Sequence, residues 1–185
     1  MSVSITVGIA GGTGAGKTTL ARRLAETLGD AVVLDMDSYY LDRSGMSAEA
    51  RARVNFDEPD AIDMSLLVEH LRLLRAGQPI EKPRYSFETH ERIGVEPVTP
   101  AAVVLVEGLL ALWWDDLRSA FDLKIYLDAP DEVRLGRRVR RDGGACDYTE
   151  GVAGRRPSVE PAPWPDSGHR DVGPGAARTR LLCVR

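Results

Sequence analysis

Three groups of side chains along the sequence have the types and spacing to do chemistry on a phosphate ester. The first is Gly11-Gly12-Thr13-Gly14-Ala15-Gly16-Lys17-Thr18, which satisfies G-x-x-x-x-G-K-[ST]. Glycines at this spacing let the main chain wrap close to a phosphate and aim N–H groups at it, and a helix N-terminus behind them adds a favourable dipole. Lys17 supplies a cation for the β- and γ-phosphates, and the Thr18 hydroxyl suits a Mg²⁺ ligand. Gly11 through Thr19 therefore form the candidate ATP-binding segment. The second group is Glu107, delivered at the end of the apolar run Val103–Val106 as the acid that completes a P-loop metal site. The third is Asp35-Met36-Asp37, after the apolar run 31–34. Two readings of it stand side by side. One is a carboxylate that takes a proton from an acceptor hydroxyl beside the γ-phosphate; the other is a turn closed by Asx hydrogen bonds.

These residues need a sheet to bring them together. Four short apolar runs, at 5–10, 31–34, 103–106 and 123–127, read as buried strands, each closed by glycine or an acid. Leu20, Ala21, Leu24, Ala25 and Leu28 follow helical spacing up to Gly29. Leu67, Leu71 and Leu74 mark a second helix, with Asp60 or Asp63 as N-cap and Gly77 as the stop. Residues 47–53 suggest a short helix, and 131–141 a basic one. The stretch 79–98 alternates short β-prone pieces with turn residues, as a β-hairpin insertion does. Strands alternating with helices predict an α/β, P-loop NTPase three-layer fold with a mostly parallel sheet, whose ligands lie beyond the carboxyl ends of the strands. Asp35, Asp37, Glu107 and Asp128 all fall at those ends.

Composition narrows the class. The chain has 185 residues, 43% of them hydrophobic and 28% charged, and a formal net charge of -4, which argues against an electrostatic nucleic-acid binder. The apolar runs 101–106 and 109–114 fall far short of the roughly 18 residues of a spanning helix. Met1–Ala10 has no basic leader region, so a cytoplasmic protein without membrane contact is expected. A GTPase switch is disfavoured, because Asn55 is the sole asparagine and is followed by Phe56, leaving no Asn-Lys-x-Asp element. The composition also has a seam. Residues 143–185 hold 7 of the 18 glycines and 5 of the 11 prolines, and both cysteines, Cys146 and Cys183. Two cysteines there make neither a disulfide framework nor a four-ligand metal site. The chain divides into a catalytic unit at 1–142 and an atypical tail at 143–185, the tail being a disordered segment or a frameshifted end of a GC-rich gene.

Six segments in order resemble the uridine kinases of the P-loop phosphoribulokinase and uridine kinase group. They are Gly11–Thr18, Asp35–Tyr40, Asn55–Asp63, Pro83–Arg92, Val106–Gly108 and Arg134–Asp142. The resemblance covers residues 5–142, and its Asn-Phe-Asp-x-Pro-Asp-Ala and Tyr-x-Phe-x-x-His-x-Arg elements are more specific than the P-loop. It implies ATP- or GTP-dependent phosphorylation of uridine, and of cytidine, at the 5′-hydroxyl. Asp37 is then the base and, with Lys17, the catalytic pair. Thr18, Asp37 and Glu107 surround Mg²⁺. Asp57 holds the ribose hydroxyls, Tyr40 lies near the sugar, Tyr85 and His90 read the pyrimidine edge, and Phe56 and Phe87 supply walls. Arg138 and Arg141 face the transferring phosphoryl group, Arg138 also reaching the nucleoside. Arg134, Arg137 and Arg140 read instead as a solvated face, and a homotetramer is implied. After Asp142 the lid arginines and the downstream Gln-Tyr of those kinases have no counterpart. Two alternatives follow: a related small-molecule kinase with another alcohol acceptor, or a nucleotide binder inactive through loss of its lid.

Overall fold

The computed structural model describes residues 4–51, 53–141 and 180–184. The four apolar runs are its central strands. In chain order the elements are β1 (Ile5–Gly11), α1 (Lys17–Leu28), β2 (Ala31–Asp35), a 3-10 turn (Met36–Tyr39), α2 (Ala48–Arg51), a second 3-10 turn (Pro59–Ala61) and α3 (Met64–Arg75). They continue with β3 (Ile80–Ser86), β4 (Glu91–Val98), β5 (Val103–Glu107), α4 (Asp115–Ser119), β6 (Leu123–Asp128), α5 (Asp131–Arg141) and β7 (Arg180–Val184). The main sheet runs β2-β5-β1-β6-β7. Its first four strands are parallel, and β7 adds to the β6 edge in antiparallel sense. The insertion at 79–98 is the separate antiparallel hairpin β3–β4.

Alternation along the buried strands divides the core between the two faces of the sheet. In β5, Val104 and Val106 join Leu34, Leu67, Leu71, Leu74 and Leu117 on one face, whereas Leu105 joins Val7, Ile9, Ala21, Ile125 and Leu127 on the other. The α3 stripe of Leu67, Leu71 and Leu74 is almost completely buried. At roughly 1.5–3 kcal/mol for each fully buried leucine, it is a major anchor of that layer. Its N-cap is Asp63, whose carboxylate accepts from the Leu66 amide at 3.1 Å, and Gly77 follows its C-terminus with a φ of 74°. Strand β7 lies beyond the last element the sequence predicts. The rest of the segment expected to be disordered or frameshifted, 142–179 and 185, falls outside the described residues.

Candidate active site

Strand order places the chemistry. Strand β1 lies between β5 and β6, and its chain crosses β5 to form β2, so the order reverses at β1 and opens a crevice at the strand ends. The glycine loop fills the start of that crevice. Gly14 and Gly16 adopt φ values of 74° and 104°, in the left-handed region that glycine tolerates. At Gly14 a Cβ would also stand 2.5 Å from the Arg134 carbonyl oxygen, so the loop needs glycine there for space as well. Lys17 opens α1 and donates to the Gly12 carbonyl at 3.2 Å, folding its ammonium back over the loop.

Beside it, parallel register aligns Ile9 of β1 with Glu107 of β5, and Glu107 with Asp35 of β2. Thr18 Oγ1 donates to Glu107 Oε1 at 2.7 Å. Glu107 is only 6% exposed. Burial pushes its carboxyl above the ordinary range, against the Thr18 hydrogen bond and the Lys17 charge, and Asp37 and Asp35 push it further. Hydroxyl and carboxylate oxygens are the donor set Mg²⁺ takes, usually with phosphate oxygens and water completing the shell. Among the described residues no group of three or more His, Cys, Asp or Glu side chains could hold a metal. Thr18 and Glu107 are donors of this kind, with Asp37 near Glu107.

The two acids after β2 have separate surroundings. Asp35 makes the turn: its carboxylate accepts from the Ser38 amide at 2.9 Å and from the Ser38 hydroxyl, capping the 3-10 turn. It also pairs with Lys82 Nζ at 2.6 Å. Asp37, one turn on, is exposed and lines a cleft with Met36, Tyr40, Phe56, Ile62, Leu109 and Leu110. Tyr39 buries the opposite side of the turn, where its hydroxyl lies 2.9 Å from His70 Nδ1 of α3.

The aromatic residues converge beside this cleft. Tyr40 meets Phe56 at 5.2 Å between ring centroids, Tyr85 at 5.3 Å and Phe87 at 6.2 Å, and Phe56 stacks on His90 at 4.7 Å. Tyr40 donates from its hydroxyl to the Phe56 carbonyl at 3.1 Å. Burial holds the Tyr40 phenol far above its ordinary pKa, reinforced by Asp37 and Asp57 and opposed by Arg138, so these three charges lie within electrostatic reach of one ring. Asp57 itself is exposed, its amide donating to Asn55 Oδ1 at 3.1 Å. Tyr85 Oη and His90 Nδ1 are buried polar atoms without a hydrogen-bond partner among the described residues.

Helix α5 corrects the expectation of a solvated arginine face. Arg137 donates to the Gly14 and Ala15 carbonyls, each at 3.2 Å, and Arg134 Nη1 lies where a Cβ on Gly12 would fall. Arg138 donates to Thr13 Oγ1 at 2.7 Å. The reason is topological: β6 pairs with β1, so the helix that follows it starts against the glycine loop. Arg140 is exposed as expected, and the Arg141 side chain falls outside the described residues. Sequence reasoning passed over Lys82 and gave no role to Arg92, the arginine that closes the Tyr-x-Phe-x-x-His-x-Arg element. Lys82 is 8% exposed and bridges Asp35 to Glu96, while Arg92 donates to the Tyr39 and Tyr40 carbonyls and to Asp63.

A glycine loop joining β1 to α1 at the sheet's reversal point, with an acid on the adjacent strand end, defines a P-loop protein of the kinase type. The chain belongs to the phosphoribulokinase / uridine kinase family, whose model matches residues 6–151. It is 43% identical over 145 residues to a uridine kinase of Alkaliphilus metalliredigens (strain QYMF), covering 77% of this chain and 70% of that one. Among solved structures, a kinase of Silicibacter sp. TM1040 ascribed to a fructose transport system superposes with a TM-score of 0.67 at 26% identity, over 83% of this chain and 79% of the other. A possible uridine kinase from Bacillus stearothermophilus shares the fold, with a TM-score of 0.54 at 24% identity over 78% and 81% of the two chains. Family membership implies a nucleoside triphosphate as phosphate donor. No helix among the described residues is long and apolar enough to cross a membrane.

Proposed function

We propose that the chain transfers the γ-phosphoryl group of ATP, or of GTP, to the 5′-hydroxyl of uridine and also of cytidine. The observation that carries this reading is the convergence of Tyr40, Phe56, Tyr85, Phe87 and His90 beside a cleft that contains Asp37. A cluster of aromatic faces suits a flat heterocycle better than a sugar phosphate, which calls for cations and hydrogen-bond donors. The two unpartnered polar atoms, Tyr85 Oη and His90 Nδ1, supply hydrogen-bonding capacity for the edge of a base.

The residues then divide the work. Loop amides and Lys17 hold the β- and γ-phosphates, with Arg138 and Arg141 steadying the charge that spreads over the transferring group. Asp57 accepts from the ribose hydroxyls, and Tyr40 walls the sugar. Asp37 takes the proton from the 5′-hydroxyl as that oxygen bonds to phosphorus, and the bond from phosphorus to the bridging β-γ oxygen breaks. Mg²⁺, held through Thr18, Glu107 and Asp37, would supply charge neutralisation for the phosphates. Asp35 is not the base in this scheme, because its carboxylate is committed to the turn and to Lys82.

The test is a coupled assay with ATP and a panel of pyrimidine nucleosides, purine nucleosides, sugars and pantothenate. Uridine and cytidine turn over, and Asp37→Asn lowers kcat by about 10²–10⁴-fold, the usual reach of a general base. Undiminished turnover by Asp37→Asn would remove the proposed mechanism. Preference for a non-aromatic alcohol, or binding of an ATP analogue without turnover of any acceptor, would remove the substrate assignment.

A further inference from the structure

The 3-10 turn that carries Asp37 is held at both ends by the β3–β4 hairpin. At its start, Lys82 of β3 places Nζ 2.6 Å from Asp35 Oδ2 and 2.7 Å from Glu96 Oε1 of β4. At its end, Arg92 of β4 donates from Nε to the Tyr40 carbonyl at 3.0 Å and from Nη2 to the Tyr39 carbonyl at 3.4 Å. The two contacts differ in kind. Arg92 bonds backbone carbonyls, and that of Tyr39 also accepts from the Asp63 amide at 2.8 Å. Lys82 is a buried ammonium whose side chain is 10% exposed, and a lysine is rarely placed so without purpose. Burial alone would lower its pKa, but hydrogen bonds and charge from Asp35 and Glu96 outweigh that and raise it, so the cation is kept charged. The Asp35 carboxylate it grips is the one that accepts from Ser38 at the head of the turn.

We propose that Lys82 is a positioning residue for phosphoryl transfer: through Asp35 it fixes the Asp37 turn to the hairpin that bears Tyr85 and His90, so that the carboxylate and the base-reading groups keep one geometry. The proposal rests on the nucleoside kinase reading above for its kinetic consequence, but the mechanical link can be measured without turnover. The contact ties the turn to the hairpin that carries Tyr85 rather than to the glycine loop, so the effect falls more on the acceptor side than on the donor side.

Lys82→Met, Asp35→Asn and Lys82→Arg are compared with the wild-type chain in steady-state kinetics and in amide hydrogen exchange. Asn can still cap the turn, so Asp35→Asn cuts the ion pair while keeping the local fold. Both breaking variants should lower kcat for the nucleoside by about 10–100-fold, the cost of a displacement near 1 Å at a reacting group, with the KM for ATP within about two-fold of wild type. Exchange at the amides of residues 37–40 should quicken by about ten-fold or more in both, and Lys82→Arg should recover most of the loss because it keeps the charge. Unchanged exchange in both breaking variants overturns the link, whatever the kinetics. Equal losses on the ATP and nucleoside sides, tracking melting temperature, overturn the positioning role. If the wild type phosphorylates no nucleoside, the functional reading fails, and the exchange measurements still decide the link.

Discussion

Gly108 follows the buried acid Glu107 and packs directly on the turn that holds Asp37, so a single methyl group there tests the geometry of the site. A Cβ at this position would stand 2.6 Å from Met36 Sδ and 2.7 Å from both Met36 Cβ and Cγ. Ordinary van der Waals contact begins near 3.4 Å, so Met36 must retreat by roughly 0.7 Å, the difference between 3.4 Å and 2.7 Å. Met36 is 2% exposed, and one of the clashing atoms is its Cβ, which moves only with the backbone. Gly108 is not among the positive-φ glycines, so the alanine itself is unstrained and the whole penalty comes from the clash. Overpacking of this kind costs about 1–3 kcal/mol. Because Asp37 is the next residue, the same shift should lower kcat by up to about 10²-fold per folded molecule. Urea unfolding gives the first number and nucleoside phosphorylation, corrected for the folded fraction, gives the second. Gly8→Ala is the control: its Cβ would stand 2.4 Å from Phe121 Cδ2, away from the strand ends, and should destabilise while sparing turnover per folded molecule. Stability within about 0.5 kcal/mol of wild type and full activity for Gly108→Ala would refute the argued packing.

Tyr85→Phe removes a buried hydroxyl that has no partner among the described residues, so stability should hold or rise slightly, while KM for the nucleoside climbs about ten-fold if that hydroxyl meets the base. Unfolding curves and initial rates on one preparation check both. Glu107 has its folded pKa raised above the ordinary 4.5, chiefly by burial, so the folded state binds the extra proton and stability falls as pH climbs above about 4.5. Glu107→Gln should gain stability relative to wild type across pH 4.5–7 and lose phosphoryl transfer, read from urea midpoints against pH and from the coupled assay. His70 runs the other way, since burial holds its folded pKa below the ordinary 6.5 and stability should fall as pH drops through and below that value. His70→Gln should flatten that limb of the pH–stability curve.

The four parallel strands were legible because they are largely apolar runs that stop at glycine or acid, as β5 does at Glu107 and Gly108. The α3 boundaries were legible because Asp63 caps in the ordinary way. Lys82 was not: in Ile80-Glu81-Lys82-Pro83 a lysine reads as an edge-strand charge, and its partner Asp35 lies 47 residues away. Arg134 and Arg137 were misread for a different reason. Arg134, Arg137, Arg138 and Arg141 follow i, i+3, i+4, i+7 spacing, which puts all four on one helical face. That signal was present, but only the pairing of β6 with β1 reveals that the face meets the glycine loop. Strand β7 was missed because Leu181–Val184 is a short apolar run after a Gly/Pro-rich tract, and its pairing partner is more than fifty residues upstream.

The same contacts show where the fold spends stability on the site. Glu107 is buried at the end of a strand whose neighbour ends in Asp35, with Asp37 close by, and one threonine hydroxyl and one lysine oppose the burial cost. A more stable protein would place an apolar side chain there, since an incompletely paired buried carboxylate weakens the folded state. The loop beside it meets a similar constraint, because Arg137 engages the Gly14 and Ala15 carbonyls and thereby commits those acceptors away from the loop's interior. The Thr18 hydrogen bond brings Glu107 beside the loop, and on the proposed reading this acid would favour a phosphate accompanied by a cation over a bare one. On that reading, binding of such a pair would relieve the Glu107 penalty and link ligand affinity to fold stability through one carboxylate. Strand β5 lies inside the sheet between β2 and β1, and that placement keeps the carboxylate buried where an exposed loop would let it swing into water.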